Sequence, residues 1–284
     1  MKGPCGKNKR RIAVIAVLLA LVVFWVVSLN SMKLTVTHYR IETEKLSADW
    51  KVALLSDLHN QEYGEGNSQL IQQIREYAPD TILICGDMVV KDDPDVTVVL
   101  ELCRELVKIA DVYYLYGNHE GVLQYDPNGL RIPLDQYLTE LGVILLYGGL
   151  YEIRHEDDTI ALFAKSINAK EYRESEKSQS QAAEFLEQEG FKLAMSHFPN
   201  LFYDALADAE FDLAVAGHYH GGQIILPGIG GVYHGEAGLF PAYYGGAYQL
   251  KYGTLILSRG LGNGTIIPRI NNDPELVFID VISK

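Results

Sequence analysis

The sequence predicts an α/β fold of packed layers, and three of its features carry that prediction. Apolar runs of five or six residues recur along the chain without the alternation of a half-exposed strand, as expected of strands covered on both faces. Segments of helical period lie between several of them. Each run stops at a polar or glycine-rich turn. With 284 residues, 48% of them hydrophobic, the chain has ample material for a buried core, as one large domain or two small ones.

The first element is a basic segment, residues 1–11, with Lys2, Lys7, Lys9, Arg10 and Arg11 and no acid. Residues 12–29, IAVIAVLLALVVFWVVSL, come next without a charge. As a helix they reach about 27 Å, close to the hydrocarbon thickness of a bilayer. They are expected to form a single transmembrane helix in the cell membrane, with the basic flank cytoplasmic and the chain after about residue 33 on the external side. A cleaved signal peptide competes with this reading, because Arg10 and Arg11 resemble a twin-arginine signal. Against cleavage, the run is longer than a signal core and SLNSMK offers no A-x-A site. Residues 30–49 are read as a stalk and first strand, and residues 50–284 as the folded domain.

In that domain the predicted strands end the runs WKVALLSDLHN (Trp50 to Asn60), DTILICGDM (Asp80 to Met88) and DVYYLYGNHE (Asp111 to Glu120). Later ones lie in FKLAMSHFPN (Phe191 to Asn200), FDLAVAGHYH (Phe211 to His220) and YGTLILSRG (Tyr252 to Gly260), which are expected to pack as a second sheet. Between the first two, Leu70, Ile71, Ile74 and Tyr77 form one helical stripe, with Asn67 a candidate cap and Pro79 marking the end. Val98, Val99, Leu102 and Leu106 form another stripe within residues 95–110. KEYRESEKSQSQ (Lys170 to Gln181) has no aliphatic residue and reads as a solvated loop or helix face. Gly228 to Gly246, rich in Gly and Tyr, reads as irregular: an ordinary long loop, or a lid that contacts substrate.

Charge narrows the function. The first 33 residues carry six Lys and Arg and no acid, so the other 18 face all 37 Asp and Glu, a net charge of −19. So acidic a body repels polyphosphate backbones, and no nucleic-acid binding is expected. Cysteine usage suggests neither a disulfide framework nor a zinc site. Cys85 and Cys103 read as buried thiols, although an outward pair between them stays open.

The residues at the ends of the apolar runs form the informative pattern. The first run ends in Asp57 and His59, the second in Asp87, the third in Asn118, His119 and Glu120; then His197 comes after LAMS, and His218 and His220 after LAVAG. Singly, each is an ordinary turn former or structural histidine. Jointly, five of the eight histidines stand at strand mouths, where α/β sheets place their ligand sites, leaving only His38, His155 and His234 elsewhere. Ligands one residue apart, as in Asp57/His59 and His218/His220, point the same way at a strand end. The glycines around them are expected to carry turns with positive φ and to admit close backbone approach. Two carboxylates, one amide oxygen and several imidazoles, without thiolate, suit Mn, Fe, Zn, Co or Ni and disfavour Ca. Seven ligands exceed one tetrahedral ion, so two divalent metal ions are expected. Against two carboxylates and a hydroxide they leave about +1, which overrules the acidic surface locally.

SDLH at 56–59, GD at 86–87, GNHE at 117–120, SH at 196–197 and GHYH at 217–220 occur in the order and spacing of the calcineurin-like metallophosphoesterases, which the chain resembles from about Trp50 onward. HGGQIILP, SRGLGNG, Pro268-Arg269 and PELVFIDV resemble the membrane-associated bacterial branch of that family, the YaeI/YkuE-like proteins. The resemblance implies a two-sheet αββα sandwich over residues 50–284. It implies one metal at Asp57, His59, Asp87 and His220, and a second at Asp87, Asn118, His197 and His218, with Asp87 bridging. His119 matches the position that contacts phosphate and protonates the leaving oxygen. Glu120 either orients His119 or caps the turn after it. Val90 departs from the family, which often has a carboxylate or amide there.

The expected activity is hydrolysis of a phosphodiester or pyrophosphate by a metal-bridging hydroxide, without a covalent phosphoenzyme. Anchoring suggests a lipid-linked or envelope-precursor substrate. A metallo-β-lactamase-like hydrolase fails, because Gly222 and Gln223 stand where its Asp and His belong. The rival from another class is a catalytically idle, membrane-anchored metal-binding receptor. Arg259 and Arg269 read as surface salt-bridge partners before phosphate ligands, and His234 and Tyr233 as bystanders. Oligomeric state is not encoded in these features.

Overall fold

The structure, a computed structural model, describes residues 11–20, 22, 33–123 and 128–284. Two six-stranded sheets pack face to face. The first has the order β1 (Thr35–Thr43), β16 (Glu275–Ser283), β2 (Trp50–Leu55), β3 (Thr81–Ile84), β4 (Asp111–Leu115) and β5 (Ile144–Leu146). The second runs β14 (Gly246–Gln249), β15 (Thr254–Leu257), β9 (Leu213–Ala216), β8 (Lys192–Met195), β7 (Asp158–Ala164) and β6 (Gly149–His155). Strands β2 to β5 pair in parallel, as do β7, β8, β9 and β15. Their C-terminal ends therefore line up along each sheet, and the polar turns at the ends of the runs collect there.

Uninterrupted apolar runs are what this layering requires. In β2, Val52 and Leu54 enter the layer between the sheets while Ala53 and Leu55 face the helices; in β9, Leu213 and Val215 point inward and Ala214 and Ala216 outward. Helices Ser68–Tyr77, Thr97–Leu106 and Leu134–Glu140 cover the first sheet, and Ala169–Glu174 and Glu176–Leu186 cover the second. The result is a four-layer αββα arrangement. Trp50 is fully buried between the sheets, where Nε1 donates to Thr81 Oγ1 (3.0 Å) and the ring stands edge-on to Phe191. Trp50→Ala is expected to cost about 3–5 kcal/mol, read as a lower urea midpoint at unchanged slope.

Several local expectations are resolved. Of the two readings of residues 170–181, the helix face holds: two helices meet at Ser175, Asn168 accepts from the amides of Lys170 and Glu171, Ser175 caps the second helix, and Tyr172, Ala182 and Phe185 bury against the second sheet. Asn67 does not cap its helix: it sits at φ 60° and its Oδ1 accepts from Tyr63 N. Gly228 to Gly246 holds small hairpins, β10 (Ile225–Leu226) with β11 (Gly230–Gly231) and β12 (Tyr233–His234) with β13 (Gly238–Leu239). The first strand expected within residues 30–49 is β1, which pairs along its length with β16. Cys85 and Cys103 are buried free thiols.

The predicted transmembrane helix over residues 12–29 falls in part outside the described residues. Residues 11–20 and 22 are helical with exposed apolar side chains, whereas 21 and 23–29, like the basic residues 1–10 and Cys5, lie outside the described residues. Among the described residues no helix is long and apolar enough to cross a membrane.

Candidate metal centre

The eight predicted site residues converge at the ends of β2, β3, β4, β8 and β9. Five of them adopt left-handed backbone: Asp57 (φ 54°), His59 (48°), Asp87 (54°), His218 (75°) and His220 (48°). This conformation is uncommon outside glycine and concentrates at functional sites. Of the glycines around them, Gly86 (φ 82°), Gly221 (63°) and Gly222 (68°) carry positive φ as expected. Gly117 (φ −92°) and Gly217 serve close approach, since a Cβ on Gly117 would overlap the Asp87 carboxylate, and one on Gly217 the Ser56 hydroxyl and Asp57 carboxylate.

Two groups of ligand atoms form around the carboxylates. Asp57, His59 and His220 bring a carboxylate oxygen and two ring nitrogens within 4.8 Å of one another, and Asp87, His197 and His218 do likewise. Asp87 and His59 also group with His119. In the first group, His220 Nε2 lies 3.3 Å from His59 Nε2 and 3.4 Å from Asp57 Oδ1. In the second, His197 Nε2 lies 3.2 Å from Asp87 Oδ2, 3.1 Å from Asn118 Oδ1 and 3.1 Å from His218 Nδ1.

Proton placement turns the second group into a fit for a cation. Nδ1–H of His197 donates to the Cys85 carbonyl (2.8 Å), and Nε2–H of His218 donates to Glu236 Oε2 (2.9 Å). In their neutral forms, each histidine then turns a bare lone pair inward, toward an amide oxygen and a carboxylate. Four acceptors facing one another repel unless a cation or an extra proton lies between them. Metal-ligating histidines characteristically pass their second N–H to a carboxylate or a carbonyl, as these two do.

The field of the site reports the same demand. Burial works against it, yet the Asp87 and Asp57 carboxylates push His197 up to about 10. Burial likewise opposes the shift of Asp87, whose carboxyl is held well below the usual range by His197. Burial pushes Asp57 up to about 6 and His59 down to about 3, and it drives His220 well below the ordinary histidine value. His59 and His220 are thus kept neutral, the form that ligates metal.

His119 adjoins the ligand groups on the side of His59 and Asp87. Its backbone N–H donates to Asp87 Oδ1 (2.8 Å), and its Nδ1 accepts from Lys91 N (3.1 Å), which leaves the ring proton on Nε2, 3.9 Å from Asp87 Oδ2. With Val90 lacking a polar side chain, backbone supplies the hydrogen bond on this turn. Glu120 does not touch His119. It accepts from the amides of Asp87, Met88 and Gly117 and from the Tyr114 hydroxyl, clamping the turns after β3 and β4 together.

The sequence reading missed three supporting residues. Glu236 fixes His218 and accepts from Asn200 Nδ2 (3.1 Å); a carboxylate inside the glycine-rich segment was the only available signal. Ser56 donates to Asp57 Oδ2. Arg269 is buried rather than on the surface: it donates to the carbonyls of Arg259 and Gly262 and lies 3.2 Å from His220 Nδ1. Arg259 pairs with Glu275 (3.1 Å), and His234 packs edge-on against His218. Glu236→Gln is expected to weaken metal binding 10- to 100-fold, measured by competition with a chromogenic chelator.

Relatives carry compatible names. The metallophosphoesterase YkoQ of Bacillus subtilis (strain 168) is 27% identical over 230 residues, spanning 79% of this chain and 80% of its own. The phosphodiesterase YaeI of Escherichia coli (strain K12) is 23% identical over 240 residues, 83% of each chain. A solved dimetal phosphatase from Danio rerio overlaps 74% of this chain and 87% of its own at 15% identity, with a TM-score of 0.44. Residues 51–222, more than half of the chain, match the calcineurin-like phosphoesterases, and the protein belongs to that family.

Proposed function

We propose that the protein is a dinuclear metal-dependent phosphoesterase that cleaves a phosphodiester or pyrophosphate, with Asp57, His59, Asp87 and His220 holding one divalent ion and Asp87, Asn118, His197 and His218 the other. The reading rests above all on the convergence of His197 Nε2, His218 Nδ1, Asn118 Oδ1 and the Asp87 carboxylate, with the outer nitrogens of both histidines committed to the Cys85 carbonyl and Glu236. Bound divalent ions supply Lewis-acid charge for the phosphoryl oxygens and acidify a water at neutral pH. The chain's own part is to place and protonate. Asp87 faces both groups, so it fixes their separation. His119, with Nδ1 occupied by Lys91 N, presents Nε2–H toward the same cleft and is suited to donate that proton to a departing oxygen. Glu120 holds the turns that carry Asp87 and His119 in register.

Anchoring is part of the proposal. The charge-free run 12–29 behind five basic residues supports a single membrane span with the catalytic domain outside, and a substrate presented at the membrane. Protease added to intact protoplasts then cleaves the domain; full protection contradicts this placement.

Activity is tested with bis-p-nitrophenyl phosphate and Mn²⁺, with and without chelator. Turnover that needs the metal, falls steeply in Asp87→Ala and falls less in His119→Ala, because p-nitrophenolate leaves without a proton, supports the proposal. Equal turnover in all three proteins, or none, favours a metal-binding receptor.

A further inference from the structure

Beside His218 the glycine-rich segment and residues 265–267 enclose a cavity of about 420 Å³. Gln223 lines it and is 2% exposed, yet neither amide atom of its side chain has a hydrogen-bonding partner in the protein. Buried polar atoms are nearly always paired, so a buried amide with both its donor and its acceptor free is prepared for a ligand. Its backbone is also strained, at φ 56° and ψ −54°, outside the left-handed well, and is pinned there by Gln223 N donating to His220 O and Asn272 Nδ2 donating to Gln223 O. The strain and the missing partners fall on one residue, next to a candidate metal ligand. His218, His234 and Thr265 share the remaining wall with apolar side chains. Tyr233 and Ile267 line it, and Ile266 stands fully exposed at its lip. Glu236 also borders the cavity, but its carboxylate is taken by His218 and Asn200.

We infer that this cavity receives the alcohol portion of the substrate. Gln223 pairs with a hydroxyl or amide close to the ester oxygen, and Tyr233, Ile266 and Ile267 cover a hydrocarbon beyond it. The substrate class is accordingly an amphipathic phosphoester with a polar group next to phosphorus and an aliphatic chain after it. The inference rests on the phosphoesterase reading only in placing the phosphate at the ligand cluster. Exposed Ile229, Leu239 and Phe240 on the same segment extend the apolar rim outward.

Binding tests this without turnover. Calorimetric titration of the Mn-loaded full chain uses butylphosphonate, octylphosphonate and 2-hydroxyoctylphosphonate, whose P–C bonds phosphoester hydrolysis leaves intact. Octylphosphonate is expected to bind at least about tenfold tighter than butylphosphonate, since each buried methylene favours binding. The hydroxyl is expected to add about a further fivefold to tenfold. Gln223→Leu removes the hydroxyl preference and keeps the chain-length preference; Ile266→Ser, at an exposed position where folding is not at stake, reduces the chain-length preference. Wild-type protein without either preference, or variants that keep the wild-type ratios, overturns the inference. Hydrolysis of bis-p-nitrophenyl phosphate is measured in parallel. Metal-dependent hydrolysis without selective binding overturns this inference alone, and selective binding without hydrolysis overturns the phosphoesterase reading alone.

Discussion

Asp87→Ala is expected to abolish metal-dependent phosphoester hydrolysis, lowering kcat/KM by at least about 10³-fold, because it removes the carboxylate that groups both with His197 and His218 and with His59 and His119, and with it the proposed bridge between the two ions. Stopped-flow metal binding should change in parallel. In the metal-free site His197 is pushed up to about 10 and is protonated at neutral pH. A histidine raised in the fold contributes stability that is fully present below its ordinary value of about 6.5 and is lost as pH rises through the folded value. Asp87, held low, contributes stability present above about 4 and lost as the pH falls further. Metal must displace the His197 proton, so uptake at pH 8 should release one proton from this residue, and affinity should rise with pH up to about 10. In Asp87→Ala the carboxylate that raises His197 is gone. Proton release from His197 at pH 8 should then disappear together with the bound metal.

His119→Ala carries the second large effect, of a different kind. His119 groups with His59 and Asp87, but each proposed ion keeps its four other ligands without it, so metal content should stay at the wild-type level while the rate falls by about 10²- to 10⁴-fold, the range for a lost general acid. The size of the loss should track the leaving group. p-Nitrophenolate departs without protonation, whereas an alkoxide needs a proton, so an alkyl phosphodiester should lose far more than bis-p-nitrophenyl phosphate. Equal losses on both substrates would contradict a proton-donor role and leave His119 as a binding residue. Nδ1 is committed to Lys91 N, which makes the donor Nε2 and no other atom.

How much of this was legible in the sequence depended on burial symmetry. Strands β2, β3, β8 and β9 were readable because residues facing the helices and residues facing the other sheet are both apolar, giving runs that solvent-facing elements never show. The helices Ala169–Glu174 and Glu176–Leu186 could not be told from a loop, because they bury little beyond Tyr172, Ala182 and Phe185 and present a polar face everywhere else. Ligands were legible because their chemistry is rare and sat at the ends of those runs. Glu236 was hidden, since a carboxylate reaching His218 from a loop 18 residues away has no periodicity to betray it. The loneliness of the Gln223 amide and the left-handed backbone of the ligands exist only in three dimensions. Arg269 was misread as a surface group because nothing local announces that carbonyls of residues 259–262 will fold around it.

Anomalous diffraction from crystals of the Mn-loaded full chain tests the central claim most directly. The account predicts two scattering peaks about 3.5–4 Å apart, one among Asp57, His59 and His220, the other among Asn118, His197 and His218, with the Asp87 carboxylate between them. A single peak, or none within ligand distance of Asp87, contradicts it.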